Sequence, residues 1–84
     1  MPAVTVYAIK FDSGEIYVGI SANLPRRLEE HRRRQSPSTR GFHGDFEVIH
    51  TEEAADYRTA RSREKYLKSG PGRQILKASG RKTS

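Results

Sequence analysis

The hydrophobic pattern changes period several times along the chain, and each change marks an element. From Ala3 to Phe11 apolar residues fall on both parities, which predicts a central strand covered on both faces. Asp12, Ser13 and Gly14 form a turn signal, and Glu15 to Ile20 reads as a second strand, making a hairpin with a loop of about three residues. If Phe11 pairs with Glu15, Tyr7 lies opposite Gly19 and Tyr17 opposite Ile9. The two tyrosine rings then share a face as diagonal neighbours, and a slip of one residue would separate them. A glycine opposite Tyr7 also predicts a gap in the sheet surface where a phosphate fits against the phenol.

The period then becomes helical. Asn23 is a good N-cap and Pro25 is tolerated in the first turn, so a helix is predicted from Leu24 to about Arg34, ended by Ser36, Pro37 and Ser38. At about 100° per residue Leu24, Leu28 and His31 form its buried stripe. Arg27 sits at the edge of that stripe, while Arg26, Arg32 and Arg33 face solvent or a ligand. Residues 35–44 read as a polar loop placed to touch a substrate, and Asp45 to Thr51 alternates around Phe46 and Val48 as a third strand. A longer helix is predicted from about Ala54 to Ser69, closed by Gly70 as its C′ residue, with Pro71 opening a last short helix through Ile75 and Leu76. On the longer helix Tyr57, Ala60, Glu64 and Leu67 share one stripe. Glu64 stands in the middle of that apolar face, a poor place for a carboxylate without a partner. The resulting class is α+β, a three-stranded antiparallel sheet flanked by helices in the order β-β-α-β-α-α.

With 84 residues, the chain has room for one domain, expected over residues 1–79, with 80–84 as a frayed basic tail. Hydrophobic residues make up 33% against 31% charged, so the core must be thin. The absence of cysteine excludes disulfides and thiolate metal sites. No apolar run approaches the ~18 residues of a membrane span, and a soluble cytoplasmic protein is the expectation. Sixteen Lys and Arg against ten Asp and Glu leave a net charge of +6, and eleven of the sixteen are arginine, the residue best suited to bidentate phosphate contact. A polyanionic partner follows from that balance.

Four segments carry more specific information: Val6-Tyr7-Ala8-Ile9, Tyr17-Val18-Gly19-Ile20, Asn23 through His31, and Arg63 through Gly70. In order and spacing they resemble the GIY-YIG endonuclease superfamily, in particular its small single-domain bacterial members related to the N-terminal nuclease domain of the nucleotide-excision-repair excinuclease. The resemblance implies a metal-dependent endonuclease. Such an enzyme needs a nucleophilic water, a proton acceptor, positive charge for the equatorial oxygens and stabilisation of the leaving oxygen. By the same resemblance Glu64 holds one Mg²⁺ or Mn²⁺, Arg27 contacts the scissile phosphate, and of Tyr7 and Tyr17 one acts as general base while the other orients the water. A phenol with a pKa near 10 serves as a base only if neighbouring cations lower it. His31 matches a position often held by histidine there, as a base, a phosphate ligand or a water-orienting group. Gly19, Arg26, Arg33 and Arg40 are candidate substrate contacts. The bland alternatives are a Glu64 paired with an arginine such as Arg27, and a His31 that is a satisfied core residue. His43 and His50 have no metal-ligand spacing and read as surface residues.

Two positions depart from the family pattern. Thr5 stands where the family name has glycine, and Ile20 follows Tyr17-Val18-Gly19 where the excision-repair relatives tend to have lysine, which removes a cation and weakens transfer of the repair function. The expected partner is nucleic acid, DNA rather than RNA, cut by shape or structure rather than at a specific sequence, since so small a surface has little capacity for readout. The alternatives are a non-catalytic nucleic-acid-binding module and an interaction domain that recruits a protein partner in DNA repair. The sequence sets no oligomeric state.

Overall fold

In the computed structural model, described over residues 3–33 and 44–79, the elements follow the order β1 (Val4–Phe11), β2 (Ile16–Ser21), α1 (Leu24–Arg32), β3 (Phe46–Ala54), α2 (Tyr57–Lys68) and α3 (Gly70–Ser79). The three strands form one antiparallel sheet in the order β2-β1-β3, so β1 is central as its two-sided hydrophobicity requires. The hairpin register is the expected one: Tyr7 opposes Gly19 and Tyr17 opposes Ile9. The turn closes through the Phe11 N–H donating to the Glu15 carbonyl at 2.9 Å, and Gly14 takes the positive φ of 103° that a side chain would resist.

Each sheet face has its own core. Val4, Val6, Ala8 and Val18 pack with Ala54, Ala60, Leu67 and Leu76, which places α2 and α3 on one face. Tyr7, Ile9 and Phe11 pack with Tyr17, Leu24, Leu28 and Phe46 on the other, the face that α1 covers. The caps follow from sequence: the Asn23 side chain accepts from the Arg26 N–H at 3.2 Å, and Asp56 accepts from the Thr59 N–H at 2.8 Å.

Four boundaries and contacts differ from expectation. The third strand continues to Ala54, past Thr51, because its pairing with β1 resumes after a bulge between Ala8 and Ile9. The bulge breaks the simple alternation: Ile9 pairs with Val48 and Ala8 with His50, so the extra residue Ile49 joins the α2 side. Val48 is left 41% exposed on an edge strand. The second helix accordingly starts at Tyr57 behind the Asp56 cap, and Tyr57, at 54% exposure, is outside the core stripe that Ala60 and Leu67 fill. Gly70 does not close α2 with a left-handed residue; Ser69 ends it in extended backbone and Gly70 already opens α3. Gly72, rather than Gly70, has a steric task, since a Cβ there would lie 2.5 Å from Leu67 Cα. No helix among the described residues is long and apolar enough to cross a membrane. The expected tail at 80–84 lies outside the described residues, as do Arg40, His43 and most of the 35–44 loop.

Candidate active site

Strand alternation puts Tyr7 and Tyr17 on the α1 face, and the helical stripe of α1 delivers His31 onto them. Tyr7 is fully buried, and its Oη lies 2.8 Å from His31 Nε2. The rings of Tyr7 and Tyr17 are 6.1 Å apart, and His31 sits 5.9 Å from the first and 5.3 Å from the second. Phe46 closes the cluster from β3, 6.2 Å from His31 and nearly perpendicular to it. This aromatic contact was not legible in the sequence, because it depends on how β3 aligns beside β1.

Gly19 is explained by a close approach. A Cβ there would stand 2.7 Å from Tyr7 Oη and 2.8 Å from Tyr17 Cε2. The expected gap over this glycine is therefore filled by the tyrosine rings themselves, and the room for a phosphate is not over Gly19. A cavity of about 260 Å³ lies instead beside the N-terminal turns of α1, lined by Ser21, Asn23, Arg26, Arg27 and Glu30.

Arg27 joins the cluster to that cavity. Its Nη1 donates to Glu30 Oε1 at 2.8 Å, and hydrogen bonding to Glu30 first, then to Tyr7 and Tyr17, holds its pKa above the ordinary arginine value. Glu30 is in turn held below the usual carboxylate range, chiefly by Arg27. Glu30 is the site residue that sequence reasoning missed; its signal was the i, i+3 spacing from Arg27 on one helix. Arg26 lies 3.5 Å from the same carboxylate, and Arg33 pairs with Glu29 at 3.0 Å. Both arginines are exposed, and such pairs exchange readily for another anion.

The burial of Tyr7 has a direct electrostatic result. Desolvation pushes its pKa up to about 12, against the lowering hydrogen bond from Arg27. Desolvation likewise pulls His31 down to about 4, reinforced by the Arg27 charge and opposed by Glu30. Arg27 has only donors, so the Tyr7 oxygen accepts from it, and the buried Tyr7 hydroxyl shares a hydrogen bond with His31 Nε2 whose direction follows the imidazole tautomer. Of the cations that would lower the Tyr7 pKa, Arg27 acts in that direction, and burial outweighs it.

Glu64 stands apart. It lies on α2, whose core residues pack on the sheet face opposite α1, and its half-buried carboxylate accepts from Lys68 Nζ at 3.2 Å rather than from Arg27. Among the described residues it makes no hydrogen bond to the tyrosine cluster, and no group of three or more potential metal-ligating side chains occurs. Its neighbour Arg63 forms a forked pair with Glu52, at 2.5 and 3.1 Å, and Glu52 also holds His50 Nε2 at 2.7 Å. His50 is thus tied into a partly buried network rather than left at the surface. The bulge in β3, which turns His50 toward the α2 side, makes that network possible.

Fold and cluster together define a small α+β domain with paired tyrosines, a histidine and an arginine converging on one sheet face. The family model of the GIY-YIG catalytic domain matches residues 3–74, and the chain belongs to that family, a nuclease-type domain. It is 34% identical over 64 residues to a UPF0213 protein of Autographa californica nuclear polyhedrosis virus, an overlap of 75% of this chain and 62% of the viral protein. The chain thus spans less than two thirds of that relative's length. The solution NMR structure of a UPF0213 protein from Bacillus halodurans matches with a TM-score of 0.55 at 20% identity, covering 93% of this chain and 85% of that one. That likeness shows the shared fold.

Proposed function

We propose that the protein is a divalent-metal-dependent endonuclease that hydrolyses phosphodiester bonds in DNA and selects its substrate by structure rather than by sequence. The observation that carries this reading is the convergence of Tyr7, Tyr17, His31 and Arg27 from three separate elements onto one face. In this reading Arg27 gives up part of its contact with Glu30 to bind the reacting phosphate, an exchange the partial exposure of both groups allows. Tyr7, buried and protonated, positions rather than deprotonates, with His31 holding its hydroxyl. Tyr17, only half-buried, is the tyrosine left within reach of the attacking water.

Glu64 would hold the single Mg²⁺ or Mn²⁺. A lone carboxylate suits an ion that keeps most of its water, and such an ion, when bound, would offset charge on the phosphate and leaving oxygen. Lys68, the partner of Glu64, and Tyr17 both border the cleft along β2, and that shared edge is where this reading joins the two halves of the site. A second reading, a nucleic-acid-binding module without turnover, draws on the raised pKa of Tyr7 and on the Lys68 ammonium already at Glu64. Kinship with the excinuclease domain and a part in repair are narrower still, and Ile20 argues against carrying them over.

The test uses labelled single-stranded, duplex and branched DNA with Mg²⁺, Mn²⁺ or EDTA, with Arg27→Ala and Glu64→Ala in parallel. Metal-dependent products that fall by roughly 100-fold or more in each variant are expected. Cleavage retained by Glu64→Ala would end its metal role, and binding without products in the wild type would establish the binding module.

A further inference from the structure

A cleft of about 490 Å³ runs between β2 and the α2–α3 pair, separate from the cavity beside Arg27. Its floor is apolar, made by Ile16, Val18, Leu67 and Leu76. Its rim is cationic: Lys68, Arg73 and Lys77 come from the end of α2 and successive turns of α3. Arg73 and Lys77 are exposed, and among the described residues neither has an ion-pair partner. Glu15 is the one acid among the lining residues, and the Ser13 hydroxyl already donates to it, while Glu64 stands behind the rim as the partner of Lys68 at 3.2 Å. Tyr17 borders this cleft from β2 while its ring stands in the aromatic cluster on the other face, so the two sites adjoin at one residue of that strand.

We propose that this cleft is a second anion subsite, taking a backbone phosphate of the nucleic-acid strand next to the reacting one, with Lys68, Arg73 and Lys77 as its cations. The inference rests on the nucleic-acid reading above but not on turnover. Arg73 and Lys77, with Lys68 shared with Glu64, on an apolar floor suit a phosphate with its attached sugar and base better than a small inorganic anion, which would leave the floor uncovered. The position also explains why the cations are grouped: a strand crossing β2 passes Tyr17 between the two sites. Duplex and single-stranded nucleic acid both offer such a phosphate.

The test is fluorescence anisotropy of the full chain in EDTA with fluorescein-labelled single-stranded and duplex oligonucleotides over a salt series. Arg73→Gln/Lys77→Gln is compared with Arg58→Gln/Arg61→Gln, an equal charge change at exposed positions of α2 that do not line the cleft. The cleft pair is expected to weaken binding of at least one oligonucleotide about tenfold and to reduce its salt slope by roughly 1 per lost phosphate contact, the control pair much less. Equal losses in both pairs, or none in the cleft pair, overturn the subsite while leaving wild-type cleavage to be judged separately. Wild-type binding through the cleft without cleavage keeps the subsite and ends the endonuclease reading, and no wild-type binding at all ends both. Circular dichroism of each variant confirms that the fold is retained.

Discussion

Tyr7 and Gly19 act as one unit, because the phenol can cross the neighbouring strand only where no Cβ stands. Gly19→Ala is therefore expected to cost about 1–3 kcal/mol, as overpacking does in a tight core, and to break the Tyr7–His31 hydrogen bond. Urea denaturation measures the first, and tyrosine hydroxyl and histidine ring NMR signals report the second. His31 allows a pH prediction. Its folded pKa is depressed from 6.5 to about 4, so between these values the unfolded chain binds a proton that the native state refuses. Stability contributed by neutral His31 is present above pH 6.5 and is lost as pH falls toward 4. Urea midpoints should decline across that window in the wild type, and the decline should flatten in His31→Phe, although that variant starts less stable. The carboxylates of Glu30 and Glu52, held below their ordinary 4.5, add their losses only at lower pH.

At the scale of elements, α1 carries both His31 of the aromatic cluster and Arg27 on adjacent turns, while α2 and α3 meet through Gly72. A glycine inside a helix ordinarily costs ~1 kcal/mol relative to alanine, which would favour Gly72→Ala. Here the new methyl would meet the backbone of Leu67 at 2.5 Å and the carbonyl of Tyr66, neither of which can swing away. The expected sign is thus reversed: Gly72→Ala should destabilise by about 1–3 kcal/mol, seen as a lower denaturation midpoint with the sheet's β-signal retained below it. The Asn23 cap, the hairpin register and the central place of β1 were legible in the sequence, since each depends on residues within a turn or a strand pair, whereas the Asp56 cap was hidden by the longer third strand. The length of β3 was not, because its bulge is set by pairing with a strand some forty positions earlier.

At the scale of the whole molecule, the candidate groups occupy both faces of one thin sheet, α1 with Arg27 and His31 on one and α2 with Glu64 on the other, related through the β2 edge. Lys68 holds Glu64 at 3.2 Å, so any cation on that carboxylate competes with it. Lys68→Met is expected to raise Mn²⁺ affinity by roughly two- to fivefold, the worth of a partly exposed ion pair, in electron paramagnetic resonance titrations of the protein without DNA. Glu64→Gln should remove that binding; Mn²⁺ affinity unchanged by both substitutions would place the ion elsewhere. What the sequence by itself determined was what short-range chemistry sets: alternation in the hairpin strands, the glycine turn, the Asn23 cap, the stripe that buries His31, and the motif that shows the family. What only the tertiary structure decided was the direction in which Tyr7 and His31 titrate, the filling of the space over Gly19, the Glu30 clamp on Arg27, the Lys68 partner of Glu64 and the cationic cleft. The physical reason is that desolvation and close approach are sums over groups brought together from distant parts of the chain, and no local pattern contains those sums.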